Sequence, residues 1–347
     1  MSDYMISQIY PTDQRSLSQI DFLLEQEGIR RDANLDYICA MYDENYHIIA
    51  TGSCFGNTLR CFAVSRSHQG EGLLNEIITH LTDIQYRRGN LLLFLYTKVN
   101  SAKFFQDLGF HEIARVDRTL VFMENKQNGF SDYLSNLSKT KVSGKSAALV
   151  MNANPFTLGH QYLVEKAASE CNALHLFIVS EDVSLIPFSV RKQLVLEGTS
   201  HLPNVICHDS GPYIISNATF PSYFLKDEET VIKSHAKLDL TIFKKIADTL
   251  SITCRYVGEE PNSQVTGLYN QIMLKELPDA GIDCIVVPRK KINGIPISAS
   301  TVRQYIQKKN FDALGKLVPA STLRYFESSA AALIIERICN TENVVHY

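Results

Sequence analysis

SAALVMNANPFTLGH, Ser146 to His160, is the stretch whose reading decides the fold of most of this 347-residue chain. Ser146–Met151 is nearly all apolar and of strand length, the pattern of a strand covered on both faces. Pro155 and Gly159 then punctuate a loop, and His160–Cys171 has helical character. Strand, loop and helix in that order form the first half of a βαβ unit. The rhythm continues. Ala173–Ser180 reads as a strand, Ser189–Gly198 as a helix and Asn204–His208 as a strand. Thr253–Val257 and Asp283–Pro288 follow as strands, and a helix starts near Ser300. Alternation of this kind predicts an α/β fold with a doubly wound, Rossmann-like parallel sheet. Gly211–Leu238 is long, aromatic and irregular, the profile of a functional insert.

Upstream the pattern differs. Asp36–Tyr42 and His47–Gly56 read as a hairpin, with Leu59–Val64 and Leu91–Thr97 as further strands. Gly72–Tyr86 and Ala102–Leu108 have helical spacing, the second stopped by Gly109. Asn125–Lys145 is rich in Asn, Ser and Lys and holds Gly129 and Gly144. The chain is therefore expected to divide into an α+β domain over 1–125, a linker over 126–145 and the parallel-sheet domain over 146–347, each of ordinary domain size.

Composition restricts the function. Hydrophobic residues make up 45% and charged residues 20%, which suits a packed globular protein. A net charge of −3 offers no global basic surface, so nucleic acid is not an expected partner. No apolar run is long enough to span a bilayer, so no membrane association is expected. Eight scattered cysteines, without a C-x-x-C pair or zinc-type spacing, suggest reduced thiols, a cytoplasmic location and no protein-held metal.

The chemistry lies at the carboxyl ends of the strands, where open parallel sheets bind ligands. The loop Asn152-Ala153-Asn154-Pro155-Phe156-Thr157 ends at a helix N-terminus, whose free N–H groups suit phosphate. Thr157 and His160, three apart, can face one spot. A second strand end, basic loop and helix start runs from Pro288 to Arg303 and includes Arg289, Lys290, Ile297, Ser298 and Ser300. Ser298 and Ser300 suit an N-cap, and Arg303 offers a planar fork of donors. Taken alone, each segment also fits a plain helix cap. Together they describe a triphosphate site.

Thr157, Gly159 and His160 resemble the H/T-x-G-H signature of the nucleotidylyltransferase superfamily. Ile297, Ser298, Ser300 and Arg303 resemble its I-S-S-T-x-x-R signature, with Ala299 and Ser300 as the departures. Val150–Ala167, Gly211–Phe224, Tyr256–Pro261 and Tyr269-Asn270 further resemble the citrate lyase ligase family. That resemblance implies an acid–thiol ligase using ATP and Mg²⁺. Such an enzyme acetylates the CoA-like prosthetic thiol of the citrate lyase acyl carrier subunit through acetyl-adenylate. It further implies that Thr157 and His160 meet the α- and β-phosphates, that Ser300 and Arg303 hold the β- and γ-phosphates, and that Gly258 borders the adenosine or acyl site. Two alternatives remain: an adenylyltransferase with a phosphate-ester acceptor such as a CoA precursor or mononucleotide, and a non-catalytic acyl-CoA-binding regulator.

His68–Leu73, between a strand and a helix, resembles the pyrophosphate loop of GNAT acetyltransferases. Gln69 and Gly72 are in place, Gly70 and Leu73 belong to the same cradle, and Leu74 departs at the final small position. The N-x-x-A-x-x-F pattern from Asn100 and the Gly109-Phe110 pair fit the same family. The resemblance implies a GNAT-like domain that binds the carrier's CoA-like arm or serves docking.

Overall fold

The computed structural model describes residues 4–214, 220, 228–260, 264–342 and 344. Two compact units emerge: residues 1–132 with 220–241, and residues 133–219 with 242–347.

The first unit contains β1 (Ile6–Ile9), α1 (Gln14–Gln26), β2 (Tyr37–Tyr42), β3 (Ile48–Phe55), β4 (Thr58–Val64), α2 (Leu73–Arg87), β5 (Phe94–Thr97), α3 (Ala102–Asp107), β6 (His111–Val116) and β7 (Leu120–Glu124). Its seven strands run in the order β1-β2-β3-β4-β5-β7-β6, antiparallel except between β4 and β5. This is the GNAT-like arrangement expected from the sequence. Helix α2 buries Leu73, Ile77, Ile78 and Leu81, spaced to share one face, against β3 and β4. The approach is close: a Cβ on Gly52 of β3 would meet Ile77 Cγ2 at 2.4 Å. Helix α1, capped by the Asp13 carboxylate accepting from Ser16 N–H, buries Leu17, Ile20, Leu23 and Leu24 on the same principle.

Helix α4 (Gly129–Ser138) occupies the stretch expected to be a linker. The second unit continues with β8 (Ser146–Met151), α5 (Leu158–Ala168), β9 (Ala173–Ile178), α6 (Phe188–Thr199) and β10 (Val205–Asp209). Helix α7 (Glu228–Leu250) is divided between the units, its residues up to Thr241 counted with the first; then come β11 (Ile252–Gly258), α8 (Gln264–Glu276), β12 (Asp283–Val287), β13 (Lys291–Ile292) and β14 (Ile295–Pro296). Among the described residues, α9 (Ala299–Gln307), α10 (Phe311–Leu314), α11 (Ala320–Glu327) and α12 (Ala332–Cys339) follow. Five strands form a wholly parallel sheet in the order β10-β9-β8-β11-β12. The chain starts in the middle at β8, winds outward through β9 and β10, and returns to wind the other way through β11 and β12. The order reverses between β8 and β11, which makes their carboxyl ends the place for a ligand.

The irregular stretch expected up to Leu238 is helical from Glu228. Ala236, Leu240, Phe243 and Ala247 are buried at spacings of three and four, which a helix can place on one face. The resemblance noted over Gly211–Phe224 falls largely on residues outside those described.

Candidate active site

Between β8 and α5 the chain makes a tight, mostly buried loop. Asn152 is exposed, and its amide Nδ2 donates to Ser184 Oγ at 3.0 Å. Ala153 is buried with φ of 51°, in the left-handed region that a side-chain-bearing residue enters at a cost of about 1–2 kcal/mol. Asn154 precedes Pro155 through a cis peptide bond. Its Oδ1 accepts from Ile186 N–H at 3.2 Å, while its buried Nδ2 has no hydrogen-bond partner among the described residues. A buried donor without an acceptor is uncommon, and in a loop at a switch point it fits a ligand oxygen. Phe156 is fully buried beneath α6, where a Cβ on Gly198 would meet its ring at 2.4 Å. Only glycine allows the helix and ring to approach so closely.

Thr157 is the N-cap of α5, and with His160 it forms a reciprocal capping box. The Thr157 hydroxyl oxygen accepts from His160 N–H at 3.2 Å, and Thr157 N–H donates to His160 Nδ1 at 3.1 Å. A backbone N–H can only donate, so Nδ1 is the acceptor nitrogen of the imidazole. The ring proton therefore sits on Nε2, leaving an N–H donor free of the cap. Burial, reinforced by the nearby Arg289 guanidinium and opposed by the Pro155 carbonyl, pushes the His160 pKa down to about 4. The imidazole is thus neutral at physiological pH, able to donate a hydrogen bond without bearing charge. Its ring lies nearly parallel to Phe156, with centroids 5.9 Å apart.

The downstream segment is brought to the same place. Lys291–Ile292 and Ile295–Pro296 pair as a two-stranded hairpin across Asn293 and Gly294, both at positive φ. Ile297 N–H donates to Lys290 O at 3.0 Å, and a Cβ on Gly159 would sit 3.5 Å from Ile297. The two motifs are therefore in contact. Ser298, not Ser300, caps α9, accepting from Thr301 N–H at 3.1 Å; Ser300 lies in the first turn with its hydroxyl 2.9 Å from that of Ser298. Arg303 is 2% exposed rather than solvated. Its Nη1 donates to Asn154 O at 2.5 Å and its Nε to Val344 O at 2.6 Å. Burial lowers its pKa to about 10, so it remains a cation at neutral pH. Arg289 is ion-paired with Glu260 and donates from Nε to Glu259 O. Gly258 ends β11, its carbonyl accepting from Asn270 Nδ2 at 3.1 Å.

The model of the citrate lyase ligase C-terminal domain matches residues 146–326. The citrate (pro-3S)-lyase ligase of Haemophilus influenzae is 39% identical over 323 residues, covering 91% of this chain and 96% of that protein. The chain belongs to the citrate lyase ligase family. The same-named ligase of Escherichia coli K12 is 37% identical over 332 residues, covering 93% and 94%. The chain is accordingly an enzyme of the ligase class. Among solved structures it is similar to Escherichia coli ElaA, with a TM-score of 0.31 and 13% identity over 35% of this chain and 99% of that one. No described helix is long and apolar enough to cross a membrane.

In the first unit of this citrate lyase ligase family member, the His68–Leu73 loop borders a cavity of about 650 Å³. Gln69, Gly70, Gly72 and Leu73 all line it, and so do Leu74 and Lys98. Gly70 and Gly72 have φ of 91° and 83°, and nothing lies within 4 Å of a Cβ at either. Their backbone torsion, not crowding, calls for glycine.

Sequence reasoning passed over Arg191 in α6. Its fully buried guanidinium donates from Nε to Ile186 O (3.0 Å), from Nη1 to Asn152 O and Val179 O (2.8 Å each) and from Nη2 to Glu181 O (2.7 Å). A signal was available. Arg191 stands three, four and seven residues before the buried Leu194, Val195 and Gly198, on the inward face of its helix.

Proposed function

We propose that the chain uses ATP and acetate to acetylate the CoA-like prosthetic thiol of the citrate lyase acyl carrier subunit, by way of acetyl-adenylate. The observation that carries the reading is the contact of the two motifs at the sheet's switch point, with Gly159 against Ile297 and Arg303 bonded to Asn154 O. The curated relatives bear the corresponding name.

In the first step an acetate oxygen attacks the α-phosphorus of ATP. The new P–O bond forms as the α–β bridge breaks, and pyrophosphate leaves with the bridging electron pair. In the second the carrier thiolate attacks the acetyl carbon, a C–S bond forms, and AMP departs with the C–O pair. Neither step requires a covalent protein nucleophile; both require positioning and charge stabilisation. The neutral His160 presents Nε2–H to a phosphate oxygen, and the helix α5 N-terminus adds backbone donors. Thr157 acts in this scheme by fixing the tautomer of His160, and by proximity to the α-phosphate. The buried Nδ2 of Asn154 is a further donor in want of an acceptor. Ser300 and Arg303 complete the phosphate site, Arg303 through the Asn154 carbonyl. Among the described residues no group of three or more His, Cys, Asp or Glu could hold a metal ion, so Mg²⁺ would be carried on the phosphates and a few waters. When bound, it neutralises phosphate charge.

The cavity beside Gln69–Leu73 is assigned to the pantetheine-like arm of the carrier, with Leu74 narrowing it relative to the GNAT pattern. The eight free thiols support a reducing, cytoplasmic setting.

The experiment is carrier acetylation: deacetylated citrate lyase is incubated with the full chain, ATP and acetate, and AMP, pyrophosphate and carrier thioester are measured. All three should appear in equal amounts. Pyrophosphate released only with a phosphate-ester acceptor would replace this reading by an adenylyltransferase.

A further inference from the structure

Open parallel sheets present a difficulty to an anion. The last peptide carbonyls of their strands carry the negative ends of their dipoles toward the crevice, where a triphosphate would bring several more negative charges. In this molecule one side chain collects those carbonyls. The guanidinium of Arg191 binds Asn152 O after β8, Val179 O and Glu181 O after β9, and Ile186 O before α6. It is wholly buried, and the Asp182 and Glu181 carboxylates act on it electrostatically from nearby. Four backbone carbonyl oxygens take its hydrogen bonds. The same guanidinium holds the backbone on the near side of Ala153, through Asn152 O, while Arg303 holds the far side through Asn154 O. Ala153 between them is the left-handed residue, a conformation that persists only where its surroundings impose it.

We infer that Arg191 is a positioning residue for the nucleotide triphosphate: it turns the strand-end carbonyls away from the phosphates and fixes the left-handed loop. A Lys in its place supplies charge but not the planar fork that reaches three segments at once. The inference deepens the proposed function and rests on its nucleotide site.

The role predicts a dependence on phosphate charge that a general packing role does not. Exposed carbonyls would repel ATP in ground state and transition state alike, which is uniform binding and raises KM for ATP rather than lowering kcat. Calorimetric titration of the full chain with ATP and with adenosine, for wild type and Arg191→Gln, reads this directly. ATP affinity should fall at least about tenfold and adenosine affinity less than about twofold, with KM for acetate unchanged, a tenfold loss being about 1.4 kcal/mol. Circular dichroism checks that the variant is folded. Should Arg191→Gln fail to fold, Arg191→Lys decides by the same comparison, with an expected ATP loss of about threefold or more and adenosine again unchanged. Equal weakening of ATP and adenosine, or no weakening of either, overturns the inference. Failure of the wild-type chain to bind ATP would instead remove the nucleotide site on which it rests.

Discussion

Both units place a glycine-bearing loop between a strand and a helix, and the two loops are held in opposite ways. The β8–α5 loop is clamped. Arg191 and Arg303 grip its carbonyls, Thr322 Oγ1 donates to Phe156 O at 3.1 Å, and Leu158 N–H donates to Leu317 O at 2.9 Å. The loop between β4 and α2 has no such enclosure at its glycines. Gly70 and Gly72 hold their shape by torsion, face open space and border a cavity of about 650 Å³. A clamped loop presents fixed donors to a compact polyanion undergoing reaction, and pre-organised donors are what stabilise developing charge. An open loop suits a long, flexible arm that enters and leaves.

The comparison is most easily broken at His160. Replacing it with alanine removes the Nε2–H donor and half of the capping box. Acetate-dependent pyrophosphate release should fall about 100-fold or more, while calorimetric binding of CoA stays unchanged. A loss of CoA binding in the same variant would mean that the two loops are not separate devices. Gly198→Ala should come next. Its Cβ would meet the Phe156 ring at 2.4 Å, so the ring or α6 must shift, at about 1–3 kcal/mol. The melting temperature should drop and KM for ATP rise; an unaltered melt would show that the ring is not confined. Gly72→Ala strains a φ of 83° by about 1–2 kcal/mol. CoA affinity should weaken with ATP affinity unaffected, the converse of Gly198→Ala.

The smallest effect concerns pH. With a folded pKa of about 4 against an ordinary 6.5, His160 stays neutral throughout the physiological range, so it adds no inflection to kcat between pH 6 and 8. Stability responds lower down. His175 and His208, paired at 2.9 Å on β9 and β10, are likewise pushed down to about 4, chiefly by burial. Below pH 6.5 the unfolded chain binds protons that the folded chain refuses. Stability is therefore full above that pH and is lost progressively as pH falls toward 4. A melting temperature flat from pH 7 to 4.5 would contradict these assignments.

The clamped loop was the more legible of the two in the sequence. An apolar strand, a proline, a glycine and a helix start carry their own physical meaning, and β8 emerges with the expected ends. What holds the loop was not legible. Arg303 reads as a phosphate-facing fork but is buried against backbone, and Arg191 shares the inward face of α6 with Leu194 and Val195 although its charge argues for the surface. Charged residues default to the surface in any pattern argument, and only the surrounding carbonyls reveal the exception. Ser298 and Ser300 both have the chemistry of a cap, and the structure selects Ser298. In the first unit, α1 went unread although Leu17, Ile20 and Leu24 have helical spacing. The start of α7 was hidden by the aromatic, irregular residues before it.

Acetate-dependent exchange of labelled pyrophosphate into ATP, with no carrier present, tests the central claim most directly. The account predicts exchange that requires both acetate and Mg²⁺ and disappears in His160→Ala. Exchange that ignores acetate, or a wild-type rate retained in His160→Ala, would contradict it.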